Sequence, residues 1–243
     1  MSVRPFESCK KRWCPVCAWR KSLKQWALLV DRLPALIEQH GPVRWLLLTL
    51  TVRNCTISDL KGTVDAMQRG FRALTNSKTK LGQQWPAQAW LKALEVTFPR
   101  EGEAHPHFHC LLAVRPSYFK KGYVSQAEWV ARWRKAMKLD YDPIVDVRRV
   151  KALGGISSDP LMEALGGLRE VAKYVTKPAD LQNNPDGLRG LLALKHTRFV
   201  DGGGWLRGVL RDDQADEQLE LPDVEDVATF WWRAVEMQYR RKC

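Results

Sequence analysis

The stretch His105-Pro-His107-Phe-His109-Cys110-Leu-Leu112 decides how the rest of the chain is read. It reads as a strand over Pro106 to Val114, in which residues two apart share a face. His105, His107 and His109 then point one way, while Phe108 and Cys110 point the other. Three buried imidazoles without partners would be costly, so their face must be wet or bound to a metal. Two histidines alone rarely hold a catalytic ion, and a carboxylate is the expected third ligand, leaving positions open for substrate. Trp90 to Phe98 reads as the partner strand of a hairpin, joined through the polar Pro99-Arg-Glu-Gly-Glu103 turn. Glu95 stands in it among apolar residues, where a bare carboxylate needs a reason, and is assigned as the third ligand beside His107 and His109. His105 is the alternative.

A second stretch, Glu170-Val-Ala-Lys173-Tyr174-Val-Thr-Lys177, has helical spacing that places Glu170, Tyr174 and Lys177 on one face. Asp159-Pro160 opens this helix and Pro178 ends it. A phenol is a poor nucleophile at neutral pH. Positive charge from Lys177 and Lys173 compensates, as does a metal that polarises the group under attack. A carboxylate four residues before the tyrosine suits activation of a water. Together the two stretches suggest phosphoryl transfer to Tyr174 from a nucleic-acid phosphodiester.

With these motifs the chain resembles the rolling-circle replication initiators of the HUH endonuclease superfamily, in the single-tyrosine branch typical of small bacterial plasmids. Cys9-Lys-Lys-Arg-Trp-Cys14-Pro-Val-Cys17, Leu47-Leu-Thr-Leu-Thr-Val-Arg-Asn54 and, more weakly, Gly203-Gly-Trp-Leu-Arg-Gly208 complete the pattern in the family's order. The resemblance implies a central antiparallel sheet of about five strands with helices packed on it. It implies nicking of single-stranded and hairpin DNA at an origin through a 5′-phosphotyrosine on Tyr174. It also implies a role for Glu170 in termination. Two related readings share the fold: an HUH transposase or relaxase-like enzyme, and a non-catalytic origin-binding protein. The alternating histidines also fit the histidine-triad nucleotide hydrolases, a shorter domain with no use for the tyrosine helix.

Cys-x4-Cys-x2-Cys over Cys9, Cys14 and Cys17 has the spacing of a zinc knuckle. A fourth ligand is needed; Cys55 is the first choice, with Cys110, His196 and Cys243 behind it. A redox Cys-x-x-Cys and plain reduced thiols are the competing readings. Six cysteines in 243 residues are too few for a disulfide scaffold and point to a reducing compartment, the bacterial cytoplasm. Met1-Ser-Val-Arg-Pro-Phe6 lacks the apolar core of a signal peptide, and no apolar run has the length of a membrane span.

The net charge of +12 suits a polyanionic partner. Lys10, Lys11, Arg12 and Arg20 crowd the cysteines and read, with Lys173, as contacts to the DNA backbone. The 11 tryptophans are core anchors, with some available to stack on bases. Mn²⁺ and Mg²⁺ both fit two imidazoles and a carboxylate poised on phosphate oxygens, the imidazoles favouring Mn²⁺. No Gly-x4-Gly-Lys-Ser/Thr loop occurs, so a host helicase and polymerase are implied partners.

The remaining elements give an α+β class. Trp19, Leu23, Trp26, Leu29 and Leu33 recur at helical spacing up to Gly41-Pro42. Val43 to Val52 reads as a buried strand, and Ser58 caps a helix to about Leu74. Ser125 caps another to about Met137, and Ile144 to Val150 is a further strand. Asn183-Asn-Pro-Asp-Gly187 reads as a turn, and Gly202-Gly-Gly204 as a tight backbone feature. An acidic run over 211–226 leads to an amphipathic helix from about Asp223. The expected division is a cysteine-knuckle and helix lobe over 1–40, a nicking domain over 41–210, and an acidic linker with a C-terminal helix over 211–243.

Overall fold

β4 (Glu103–Val114) is the centre of the sheet that the histidine pattern predicts. The computed structural model describes residues 15–152, 159–173, 185–210, 230–233 and 238–241. β4 pairs on one side with β1 (Arg44–Thr51) and on the other with β3 (Ala87–Thr97). β5 (Val145–Arg149) extends the sheet beyond β1, and β6 (Val200–Gly204) extends it beyond β3. Every pairing is antiparallel, and the two-residue β2 (Cys55–Thr56) adds to the start of β4. The α+β class and the antiparallel sheet are therefore as expected.

Alternation gives the sheet two apolar faces, and helices cover both. Leu46, Leu48 and Leu50 of β1 and Phe108, Cys110 and Leu112 of β4 point to one side. There they pack with Val64, Met67, Phe71 and Leu74 of α2 (Leu60–Thr75) and with Trp129 and Trp133 of α4 (Gln126–Met137). Ser125 closes a capping box with Glu128 at the start of α4, satisfying two of its end amides. Trp133 Nε1 donates to the Thr51 carbonyl at 2.8 Å, fastening α4 to the sheet. On the other side, Trp45, Leu91, Leu111 and Ala113 meet Leu29 and Leu33 of α1 (Pro15–His40). Ala164, Leu168 and Val171 of α5 (Pro160–Lys173) pack there too. Trp45, Trp129 and Trp133 are fully buried, so these three are core residues.

α5 lies unusually close to the sheet, and Gly167 is the reason. A Cβ at Gly167 would stand 2.3 Å from Leu111 Cδ1 and 3.2 Å from Val150 Cγ2. Trp45 Nε1 donates to the Pro160 carbonyl at 2.8 Å and fixes the start of the helix over the row Trp45–Ala113. Gly167, two turns on, lies over Leu111. α5 thus lies across the face that Trp45, Leu111 and Val150 share.

Several elements differ from expectation. α2 begins after Asp59, and the Ser58 hydroxyl pairs with that of Thr56 at 2.7 Å. Beyond a short α3 (Tyr118–Lys121) and the elements above, Pro185-Asp-Gly187 opens α6 (Pro185–Ala193) instead of a turn. Proline is well suited to a first helical position, where its missing N–H has no helical partner to lose. The glycines at 202–204 belong to strand β6: a side chain at Gly203 would strike the Trp90 ring 2.3 Å away. The helix expected from Asp223 is corrected. Phe230–Arg233 and Gln238–Arg241 are strands β7 and β8 of an antiparallel hairpin, with Phe230, Trp231 and Trp232 contributing strand propensity. That hairpin belongs to a separate compact unit within Asp212–Cys243, while the six-stranded sheet falls within Ser8–Arg211. Among the described residues no helix is long and apolar enough to cross a membrane.

Candidate metal centre

The register of β3, β4 and β1 places the site. Glu95 is directly opposite His107, and His107 is opposite Thr51. One row further along, Ala93, His109 and Thr49 stand side by side. All lie on the face that α1 and α5 cover at its other end. Glu95 Oε2 is 2.5 Å from His107 Nε2 and 2.8 Å from His109 Nε2. The ligand atoms of these three residues lie within 4.8 Å of one another, the one such convergence among the described residues. Their side chains are 5%, 12% and 11% exposed, so the cluster is nearly dry yet reachable.

The outer nitrogens decide what the inner ones can do. His107 Nδ1 lies 3.2 Å from the His105 carbonyl oxygen. A carbonyl only accepts, so Nδ1 carries the hydrogen and donates it. In the neutral ring Nε2 then has a lone pair, and that lone pair faces a carboxylate oxygen. Such a contact is repulsive unless a cation or a second proton on the ring lies between them. His109 Nδ1 is 3.3 Å from Thr49 Oγ1, a hydroxyl that orients that ring whichever of the two atoms donates. Two imidazole nitrogens and a carboxylate oxygen converging from three strand positions fit a divalent ion with open coordination positions.

His105 stands beside this group without joining it. Its ring centroid is 5.2 Å from that of His107. Burial, and then the neighbouring His107, hold its pKa below the ordinary histidine value. Glu95 is therefore the better third ligand of the two weighed from sequence.

Other sequence assignments fall less completely within the structure. Glu170 and Lys173 lie in the last turn of α5, and Arg20 and Cys17 lie on α1; their side chains are not among those described. Tyr174, Lys177, Cys9, Lys10, Lys11, Arg12 and Cys14 lie outside the described residues. Cys55 stands in β2, where its thiol donates to the Ala104 carbonyl at 3.6 Å and burial raises its pKa. Cys110 is wholly buried on the opposite face from the histidines, its thiol pushed up to about 12 by desolvation, which makes it a core residue and a poor zinc ligand. Thr49 and Gly167 were not singled out from sequence. The signal for Thr49 was present, since Thr49 and Thr51 alternate with the buried Leu48 and Leu50.

An antiparallel α+β scaffold with a His-His-carboxylate centre on its central strands defines the class, and comparison with known proteins places the chain within it. The profile of the family described as "Replication protein" matches residues 2–239. A "Protein rep" from Bacillus sp is 38% identical over 234 residues, covering 90% of this chain and 73% of the relative. A "Protein rep" from Streptococcus pneumoniae serotype 2 is 37% identical over 238 residues, covering 93% and 68%. A "Replication protein" from Staphylococcus aureus is 33% identical over 200 residues, covering 78% and 80%. The chain belongs to the replication protein family, in agreement with the resemblance that its motifs carry. No solved structure gives a significant match.

Proposed function

We propose that the chain nicks a specific site in single-stranded origin DNA and rejoins the strand, initiating and terminating rolling-circle replication of a plasmid. Tyr174 is the nucleophile. Its oxygen loses its proton to solvent and attacks phosphorus, the P–O3′ bond breaks, and the 3′ oxygen takes up a proton and leaves as a free hydroxyl able to prime a polymerase. The 5′ end stays on the enzyme as a phosphotyrosine, so the bond energy is kept for rejoining. Glu170 activates water for the closing cut, and Lys173 and Lys177 offset the charge on the phosphate.

The observation that carries this reading is the convergence of Glu95, His107 and His109 on the sheet face that α5 also covers. From Gly167, beside Leu111, α5 advances about 9 Å to Lys173, its last residue. Along β4 the His109 row lies about 7 Å beyond Leu111 and the His107 row about 14 Å beyond it. Tyr174, which follows Lys173 in sequence, must in this reading reach the two histidines. A divalent ion held by Glu95, His107 and His109 would supply Lewis-acid stabilisation of the phosphate under attack. Cys9, Cys14 and Cys17 hold a structural zinc in this reading, with Lys10, Lys11, Arg12 and Arg20 on the DNA backbone.

The test is cleavage of an origin-derived single-stranded oligonucleotide with Mn²⁺. Glu95→Ala and His107→Ala are expected to lose cleavage while still binding the oligonucleotide. Full cleavage by the wild type in excess chelator would overturn the metal assignment.

A further inference from the structure

The row that contains His107 does not end at the metal cluster. Thr51 N–H and Oγ1 both donate to the Ile144 carbonyl, at 3.3 and 2.8 Å, so Ile144 continues the row on the far side of β1. Across the sheet the order is Ile144, Thr51, His107, Glu95. Val145 is turned into the core with Leu50, so alternation turns Ile144 to the metal face. Ile144 is 77% exposed, the most exposed large apolar side chain among the described residues. Two strand spacings, about 10 Å, separate it from His107.

Two residues after Thr51 and three before Ile144, Arg53 and Tyr141 form a cation–ring pair. The Arg53 guanidinium carbon lies 3.8 Å from the centroid of the Tyr141 ring. The Tyr141 hydroxyl accepts the Arg53 backbone N–H at 2.9 Å, which holds the ring in place. Val52, just past the end of β1, is buried in the core, and Arg53 after it is exposed. Two of the acids nearby are already paired, Asp142 with Arg134 and Asp146 with Arg148. A cation stacked on an aromatic ring, next to an exposed aliphatic side chain, is a surface on which a nucleobase stacks without regard to its identity. The chain's excess of positive charge suits the phosphates that come with it.

We infer that Arg53, Tyr141 and Ile144 form a base-stacking edge that holds an unpaired nucleotide of the DNA strand beside the metal centre. This rests on the reading of single-stranded DNA as substrate. The edge keeps the flanking base unstacked from its neighbours, so that the phosphate next to it is presented to Glu95, His107 and His109. It is a positioning element and takes no part in bond making.

Binding of labelled oligodeoxythymidylate in excess chelator, compared with an abasic oligonucleotide of equal length, tests the edge. The abasic strand has the same phosphates and no bases. Ile144→Ser and Arg53→Gln should each weaken oligodeoxythymidylate binding about tenfold, the scale of one lost stack. Ile144→Ser should leave abasic binding unchanged, and Arg53→Gln should weaken it less than it weakens thymidylate binding. Tyr123→Ser, at a ring 63% exposed elsewhere, should change neither. Ile144 is too exposed for its loss to unfold the protein. Wild-type affinity in both variants, or equal losses on both strands, would overturn the stacking edge and leave the nicking reading intact. Failure of the wild type to bind either strand would overturn both.

Discussion

Gly167→Ala separates the position of α5 from the stability of the fold. The added Cβ would stand 2.3 Å from Leu111 Cδ1, 3.2 Å from Val150 Cγ2 and 3.4 Å from Leu111 Cδ2. Carbon atoms rest about 3.5–4.0 Å apart, so the helix or the leucine must give by about 1.2 Å. Leu111 is fully buried on the central strand, which leaves the helix to move. Overpacking of this kind costs about 1–3 kcal/mol. Alanine recovers about 1 kcal/mol of helix propensity over glycine. Stability should therefore fall by no more than about 2 kcal/mol, a few degrees in melting temperature for a chain of this size. Nicking should fall far more, about a hundredfold, because Tyr174 follows α5 directly in sequence and a displacement near 1 Å spoils in-line geometry. Gly62→Ala is the control. It lies on the same kind of element with nothing within 4 Å of its Cβ, so it should add about 0.5–1 kcal/mol and leave nicking unchanged. Thermal melts and single-turnover cleavage read both quantities. Wild-type cleavage by Gly167→Ala, or stabilisation equal to that of Gly62→Ala, would refute the close packing of α5 as the device that aims the tyrosine.

Lys92 is 3% exposed, its Nζ 2.5 Å from Gln68 Oε1 and 4.4 and 4.5 Å from the rings of Phe108 and Phe71; desolvation lowers its pKa to about 8. Below that pH the lysine is charged in both states and the fold bears the full desolvation cost. Between about 8 and 10.5 the unfolded chain binds more protons, so stability rises with pH, by roughly 3 kcal/mol in all. Lys92→Met should be the more stable protein at pH 7, and the difference should shrink toward pH 10 in urea titrations; a difference constant with pH would contradict the lowered pKa. Glu170→Ala should still make the first cut and the covalent adduct while losing the hydrolytic release; normal termination in a circularisation assay would reduce the residue to a surface charge. One equivalent of zinc should copurify with the reduced protein and be lost with Cys14→Ser; its absence on elemental analysis would favour plain thiols.

The convergence of Glu95, His107 and His109 was legible because it is built on strand alternation. His107 and His109 share a face by period, and Glu95 follows from one hairpin whose polar turn fixes the pairing. Four strands of the sheet were legible as apolar or alternating runs, but β6 was not, since Gly202-Gly-Gly204 reads as a tight backbone feature until its pairing with β3 is seen. Three further features were not. Gly167 looks like any helix glycine until the helix is seen to rest on Leu111. Ile144 looks like the first residue of a buried strand, yet it lies on the face opposite Val145 and beyond the cover of α5. Val224, Val227 and Trp231 recur at helical spacing, and the pairing of Phe230–Arg233 with Gln238–Arg241 decides for a strand. In each case the deciding contact is with a residue distant in sequence or across a hairpin, which local periodicity does not encode.

The most direct measurement is the identity of the residue that carries DNA. Wild-type protein incubated with Mn²⁺ and a nicked-site oligonucleotide, then digested and analysed by mass spectrometry, should show a 5′-nucleotide adduct on the peptide containing Tyr174. The adduct should disappear in Tyr174→Phe and in the Glu95→Ala variant. A nucleotide carried instead on Tyr118, Tyr123, Tyr141 or Tyr239, or cleavage that proceeds with no protein adduct, would contradict the account.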